Sequence, residues 1–195
     1  EMLRSLVGSE MCIRDREKDG WQNSETAAAF SRFAAMMAAH FEGRVSHFIT
    51  LNEPQIVLKL GYADGIHAPG KRLSLPELVS CWKNLMLAHG LSFRAIRKAV
   101  PEALIGIAST GKLCYPHSPA DEDAARQETF RLTDSDWMFT HAIVLDAVCL
   151  GRDEPEAGAL RKLLSEVTPE EWDTMHAVPD FIGVNSYLSL IHISE

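Results

Sequence analysis

Three short apolar runs along the chain have the length and composition of β-strands. Residues 45–51 alternate in side-chain character and are rich in β-branched and aromatic types, which fit a pleated and packed surface. Pro54 cannot continue a strand ladder, so this strand is predicted to stop at Glu53. The apolar runs 103–108 and 181–184 predict a second and a third buried strand.

Amphipathic stretches between these runs predict helices. Residues 23–43 have apolar side chains at helical spacing, with Phe33 inside the predicted apolar stripe. A capping box opens a longer helix over residues 74–100, and residues 120–150 predict a helix in more than one piece. The polar, glycine-containing residues 52–73 predict a long loop, and loops of this length are often functional.

Alternation of strands with helices of this length predicts βαβ units, a parallel sheet and therefore an α/β fold. The 195 residues are 46% hydrophobic and 24% charged, which is typical of a globular protein. The formal net charge of −8 argues against nucleic-acid and anionic-membrane partners, because these require a basic face. The best candidate for a membrane span, residues 142–150, is short and contains Asp146. We therefore expect a soluble protein.

Cysteine and histidine spacing gives no indication of a metal site. The four cysteines form no C-x-x-C pair, and no H-E-x-x-H pattern occurs among the eight histidines. We therefore expect neither a metal ion nor a cofactor. Unpaired thiols agree with a reducing compartment, so we expect a cytoplasmic protein.

Polar groups concentrate where the first predicted strand ends, in the sequence Thr50-Leu51-Asn52-Glu53-Pro54. In barrels and open α/β sheets, functional groups lie at the carboxyl ends of strands. A single carboxylate at a strand end most often has only a solvating role, but this sequence resembles the acid/base motif of glycoside hydrolase family 1. That family contains β-glucosidases and 6-phospho-β-glucosidases. Further similar stretches follow in the family's order: GWQNSETAAAF at 20–30, GIHAPG at 65–70, LMLAHG at 85–90 and DFIGVNSY at 180–187.

The resemblance implies a partial (β/α)8 TIM barrel, comprising about strands 4 to 6 with their helices. We expect this catalytic barrel segment at residues 17–187 and apolar surface left exposed on it. Residues 1–16 and 188–195 resemble translated sequencing-adapter sequence, so we expect them to be non-native tails.

The family's retaining mechanism uses two carboxyl groups about 5 to 5.5 Å apart. The resemblance assigns Glu53 as general acid/base and Asn52 as a ligand of the sugar 2-hydroxyl. Asn185 and Tyr187 match an N-x-Y motif that supports the site at the end of the sixth strand. The nucleophile motif, T-E-N-G or similar, does not occur in the sequence. We therefore expect a retaining glycosidase that hydrolyses terminal non-reducing β-D-glucosyl residues, and no turnover of an aryl β-glucoside by these 195 residues alone.

Two departures from the family pattern and three alternatives remain. Gln55 stands where the family commonly has an aromatic residue, and we expect it at the aglycone side of the pocket; Ser186 replaces a usual tyrosine.

The alternatives are a 6-phospho-β-glucosidase, a non-catalytic sugar-binding relative, and nucleotide binding by the P-loop-like residues 106–112. Leu113 argues against the last of these, because it cannot ligand magnesium as Ser or Thr would.

Overall fold

The computed structural model describes residues 19–153, 155 and 157–186. The strands are β1 His47–Asn52, β2 Leu104–Thr110 and β3 Phe181–Asn185. The α-helices are α1 Glu25–His40, α2 Pro54–Ile56, α3 Leu75–Ala99, α4 Glu122–Phe130, α5 Ala142–Leu150, α6 Ala159–Leu164 and α7 Pro169–Met175. The model also contains 3-10 turns at Gly20–Gln22 and Pro119–Asp121 and a π-helical segment at Val57–Ala63.

The three strands form one parallel sheet in the order β1-β2-β3, which confirms the predicted α/β class. Helix α3 connects β1 to β2, and helices α4 to α7 connect β2 to β3. Every residue of β2 after Leu104 is buried, because β2 lies between the other two strands. The three carboxyl ends therefore lie side by side at one edge of the sheet.

A β-bulge interrupts β1 just before its carboxyl end. Ile49 pairs with Gly106, but the next pair joins Asn52 to Ala108, so β1 contains one residue more than β2 over this interval. The strict alternation breaks here, and the consecutive residues Thr50 and Leu51 are both buried. A bulge re-aims the side chains that follow it, and bulges are common at barrel rims and beside active sites.

Helix α3 is the centre of the helical layer, and its apolar residues Leu78, Leu85, Met86 and Ile96 are buried. Trp82 is inaccessible to solvent, and its Nε1 donates a 2.8 Å hydrogen bond to the Ile143 carbonyl of α5. Gly90 lets α7 approach closely, because a Cβ atom there would lie 1.8 Å from the Thr174 carbonyl oxygen. One predicted position of the α1 stripe is wrong: Phe33 is 53% exposed.

The prediction of an irregular loop over residues 52–73 is also wrong in part. Pro54 begins α2, and helical structure continues through the π-helical segment to Ala63. A proline at the first position of a helix loses no hydrogen bond, because that amide has no partner within the helix. Pro54, which prevents the strand from continuing, is therefore also the first residue of a helix. π-Helical turns are rare and often occur at functional sites.

His89 of α3 joins the helical layer to two strands. Its Nε2 donates to the Ala177 carbonyl at 2.9 Å, just before β3, and its Nδ1 lies 2.7 Å from the Thr50 hydroxyl of β1. The Ala177 carbonyl can only accept, so Nδ1 of the neutral ring accepts from the Thr50 hydroxyl, whose oxygen also lies 3.2 Å from the Gly106 carbonyl. Burial, reinforced by the charge of Arg94 and opposed by the Ala177 hydrogen bond, lowers the pKa of His89 to about 4.

We predict that the buried His89 makes the protein less stable in mild acid. In the unfolded chain the histidine pKa is 6.5, so between pH 6.5 and about 4 the unfolded state binds a proton that the folded state does not. The free energy of unfolding should therefore fall by about 2 kcal/mol between pH 7.5 and pH 5 through this residue. Urea unfolding at both pH values gives the change in the free energy of unfolding for wild type and for His89→Gln. The difference between these two changes is the contribution of His89.

His117, which is exposed, provides the matched control through His117→Gln. An equal pH dependence of stability in wild type and His89→Gln would contradict a neutral buried histidine.

Candidate active site

Three of the four predicted site residues meet at the carboxyl edge of the sheet. Asn52 is the last residue of β1, Glu53 follows it, and Asn185 is the last residue of β3. The Asn185 Nδ2 donates to Glu53 Oε1 at 2.6 Å and to Asn52 Oδ1 at 3.1 Å. The fourth residue, Tyr187, lies outside the described residues. Residues more than 130 positions apart in the sequence thus form one polar cluster.

The backbone of Glu53 adopts a left-handed conformation, with φ 49° and ψ 58°. This conformation costs a non-glycine residue about 1–3 kcal/mol and persists only where surrounding contacts impose it. The Glu53 amide donates to the Ala108 carbonyl of β2 at 2.9 Å, and the Glu53 carbonyl accepts from the Ile56 amide at 2.9 Å. Only 8% of the Glu53 surface is exposed, so the turn holds its carboxyl group in a largely desolvated position.

The carboxyl end of β2 contacts both other strand ends. Ala108 accepts the Glu53 amide, and the Thr110 hydroxyl donates to the Asn185 carbonyl at 3.2 Å. The intervening Ser109 is fully buried and also makes polar contacts. The sequence interpretation assigned no role to these hydroxyl groups. Their signal was a pair of adjacent hydroxyl residues at the end of an otherwise apolar strand.

The expectation that Gln55 lies at the aglycone side of a pocket is wrong. Its side chain is 0% exposed and points into the interior, where Nε2 donates to Ser109 Oγ at 2.7 Å and to the Thr140 carbonyl at 3.1 Å. A side chain without accessible surface cannot contact an aglycone. Gln55 thus belongs to the support of the Glu53 turn and not to a surface that contacts ligand.

The P-loop alternative lacks the structural context that it requires. The Lys112 ammonium group is engaged by Glu128 at 2.7 Å and by Asp136 at 2.5 Å. The next helical residues after it are Pro119–Asp121, so no helix N-terminus faces the position where phosphate would lie. Residues 106–112 instead form most of β2 and the start of the connection that follows it.

Neither a metal site nor a membrane-spanning helix occurs in the part of the chain that the structure describes. No group of three or more His, Cys, Asp or Glu side chains there is arranged to hold a metal ion. None of the described helices combines the length and the hydropathy that crossing a bilayer requires.

Comparison with known proteins identifies the family. The model of glycosyl hydrolase family 1 matches residues 11–194. The chain belongs to this family. β-Glucosidase A of Thermotoga maritima is 30% identical over 174 residues, which cover 87% of this chain and 37% of that enzyme. β-Glucosidase 25 of Oryza sativa subsp. japonica is 34% identical over 195 residues, which cover 88% of this chain and 36% of that enzyme.

Solved structures of family 1 agree with the fold. The virulence factor SghA of Agrobacterium tumefaciens, in complex with its substrate analog salicin, superposes with a TM-score of 0.72 at 27% identity. The match covers 88% of this chain and 37% of SghA. Family 1 structures are TIM barrels, and the parallel sheet with its helices is part of such a (β/α)8 barrel. The chain thus spans little more than a third of the length of the relatives that it matches.

Apolar side chains are exposed on both faces of the sheet, as expected for part of a barrel. Ile49 of β1 is 50% exposed on one face, whereas its neighbour Phe48 points to the other face and packs against the helices, as the alternation of a strand requires. Ile182 of β3 pairs with Ile107, so it lies with Val184 on the same face as Phe48, where the two side chains are 45% and 58% exposed.

We predict that glycine at position 53 makes the fold more stable than alanine, although either change removes the carboxyl group. Glycine adopts left-handed backbone conformations without steric cost, so Glu53→Gly should exceed Glu53→Ala by about 1 kcal/mol in free energy of unfolding. Urea denaturation of the two variants measures the difference. At the exposed position Arg32 in α1 the order should reverse by a similar amount, because there glycine weakens a helix. The same order at both positions would exclude the left-handed turn at Glu53.

Proposed function

We propose that the protein acts in the hydrolysis of β-glucosides by a retaining, two-carboxylate mechanism, with Glu53 as the general acid/base. The observation that carries this proposal is the contact of Asn185 Nδ2 with Glu53 Oε1, at 2.6 Å, at the carboxyl edge of a parallel sheet. It joins a largely buried carboxyl group to two amide side chains, Asn52 and Asn185, that can bind sugar hydroxyl groups.

In the first step, Glu53 transfers a proton to the glycosidic oxygen while a second carboxylate attacks the anomeric carbon and forms a glycosyl-enzyme intermediate. In the second step, Glu53 takes a proton from water, and the water displaces the second carboxylate from the anomeric carbon. Asn52 hydrogen-bonds the sugar 2-hydroxyl, a contact that strengthens as the ring approaches its oxocarbenium-like transition state. Tyr187 is the fourth residue of the proposed site.

The contact with Asn185 determines which oxygen of Glu53 can carry the proton. The Nδ2 group of Asn185 can only donate, so Oε1 accepts and the mobile proton resides on Oε2. The same donor can keep its hydrogen bond to Oε1 after the proton has left Oε2. Asn185 therefore orients the acid without competing for its proton.

The names of the relatives support a β-glucoside as substrate, since two of them are β-glucosidases and SghA is bound to its substrate analog salicin. The nucleophile motif is absent from the printed sequence. We propose that the second carboxylate belongs to a longer chain, in line with the length of the relatives, and that the 195 residues alone are inactive.

Replacement of Glu53 tests the acid/base assignment in the complete protein that contains this segment. The expected loss in kcat/KM toward phenyl β-D-glucoside for Glu53→Ala is about 10²- to 10⁴-fold, because phenoxide is a poor leaving group that needs a proton. The loss should be much smaller with 2,4-dinitrophenyl β-D-glucoside, whose leaving group departs without protonation. Azide should restore turnover of that substrate and yield β-glucosyl azide, because azide needs no general base.

The matched control is Glu102→Ala. Glu102 is exposed and precedes β2, at the opposite edge of the sheet, so its removal should leave both kcat/KM values unchanged. Equal losses of Glu53→Ala on the two substrates would refute an acid/base role for Glu53. If the wild-type protein binds sugars but does not hydrolyse either substrate, the alternative of a non-catalytic sugar-binding relative is favoured.

A further inference from the structure

Gln55 is held in a fixed orientation beneath the Glu53 turn. Its Nε2 faces the Thr140 carbonyl at 3.1 Å, and a carbonyl can only accept, so the nitrogen and oxygen of this amide cannot be exchanged. The second hydrogen of Nε2 goes to Ser109 Oγ at 2.7 Å. Both hydrogens of the amide are thus used.

The other end of the same amide has no hydrogen-bond partner among the residues that the structure describes. Gln55 Oε1 is buried and unsatisfied, which is unfavourable compared with an apolar side chain of similar size. An apolar residue at position 55 would avoid this cost but would donate no hydrogen bond. The contribution specific to glutamine is therefore the pair of bonds that Nε2 donates to Ser109 and Thr140.

Those bonds attach the Glu53 turn to β2 at a second point. On the amino side of the turn, the Glu53 amide binds the Ala108 carbonyl. On the carboxyl side, Gln55 binds Ser109, the next residue of β2. Pro54 lies between the two attachments and has a fixed φ. Any rotation of Glu53 out of its left-handed conformation would have to break one of the two attachments.

The acceptors of Gln55 are themselves well anchored. Ser109 Oγ lies 2.9 Å from Nδ1 of His141, the residue that precedes the first turn of α5. Burial lowers the pKa of His141. Because Ser109 Oγ accepts from Gln55, its own hydrogen is available to donate to Nδ1 of the neutral His141 ring. Gly111 lies against the same residue, because a Cβ atom there would be 2.8 Å from the His141 amide nitrogen. The strand end and the helix start thus form one closely packed support.

We propose that Gln55 is a positioning residue for the general acid: its amide clamps the Glu53 turn onto Ser109 and Thr140, and so sets the direction of the Glu53 carboxyl group. This inference rests on the proposed function of Glu53. Proton transfer requires hydrogen-bond distance between the acid and the leaving oxygen. An error of about 1 Å in the position of a reacting group can reduce the rate about 10²-fold. Loss of the clamp should therefore impair the acid step selectively.

The test uses Gln55→Met in the complete protein, since methionine has a similar length and no donor. The value of kcat/KM, which reports the first step, should fall about 10- to 100-fold for phenyl β-D-glucoside. It should stay within about threefold of wild type for the 2,4-dinitrophenyl substrate, whose leaving group needs no acid. Ser109→Ala removes one of the two acceptors and should change the ratio of the two values in the same direction. Gln127→Met, at an exposed position of α4, should change neither value.

The outcomes separate this proposal from the function on which it rests. If folded Gln55→Met loses kcat/KM equally on both substrates, Gln55 has a purely structural role and the proposal is overturned. If Gln55→Met does not fold, an unchanged substrate ratio in Ser109→Ala overturns it. After either of these outcomes the proposed function still stands, provided that Glu53→Ala loses more activity on the phenyl than on the 2,4-dinitrophenyl substrate. If Glu53→Ala shows no such difference, both the proposed function and the role of Gln55 are refuted.

Discussion

The arrangement of the polar edge depends on the pairing of β2 with a strand on each side. Its last three residues, Ala108, Ser109 and Thr110, contact in turn the Glu53 amide, the Gln55 amide group and the Asn185 carbonyl. Backbone pairing holds β1 and β3 each at one strand spacing from β2, on opposite sides of it. The pairing of both strands with β2 is therefore sufficient to bring the side chains of Asn185 and Glu53 into contact.

Unfavourable features of the edge lie close together. The bulge in β1, the left-handed backbone of Glu53 and the unsatisfied oxygen of Gln55 occur within seven residues, from Ile49 to Gln55. Each opposes stability, and each is tolerated because the surrounding sheet and helices are well packed. Together they present a carboxyl group at the sheet edge in a direction that an unstrained strand would not give it. Concentrated strain of this kind is expected at a site selected for chemistry and not for stability.

Much of the fold was predictable from local pattern. The strands followed from alternation and β-branched composition, and the capping box predicted at the start of the helix over residues 74–100 is formed by Ser74 and Glu77. Pro54 was predicted to end the strand, but its compatibility with a helix start was not recognised. Features that depend on distant contacts could not be predicted. Gln55 is buried because it meets Thr140, 85 residues further along the chain. Similarly, periodicity placed Phe33 in the apolar stripe of α1, but only tertiary packing decides which side of a helix is covered.

We propose that the strand-end cluster is the acid/base half of a retaining glycosidase site. This role is tested most directly by the configuration of the first product that the complete protein releases from phenyl β-D-glucoside. Proton NMR within the first minutes distinguishes the anomers of glucose before mutarotation mixes them. We expect β-glucose as the first product, because two successive displacements at the anomeric carbon retain its configuration. Release of α-glucose would contradict it, since inversion requires a single displacement by water.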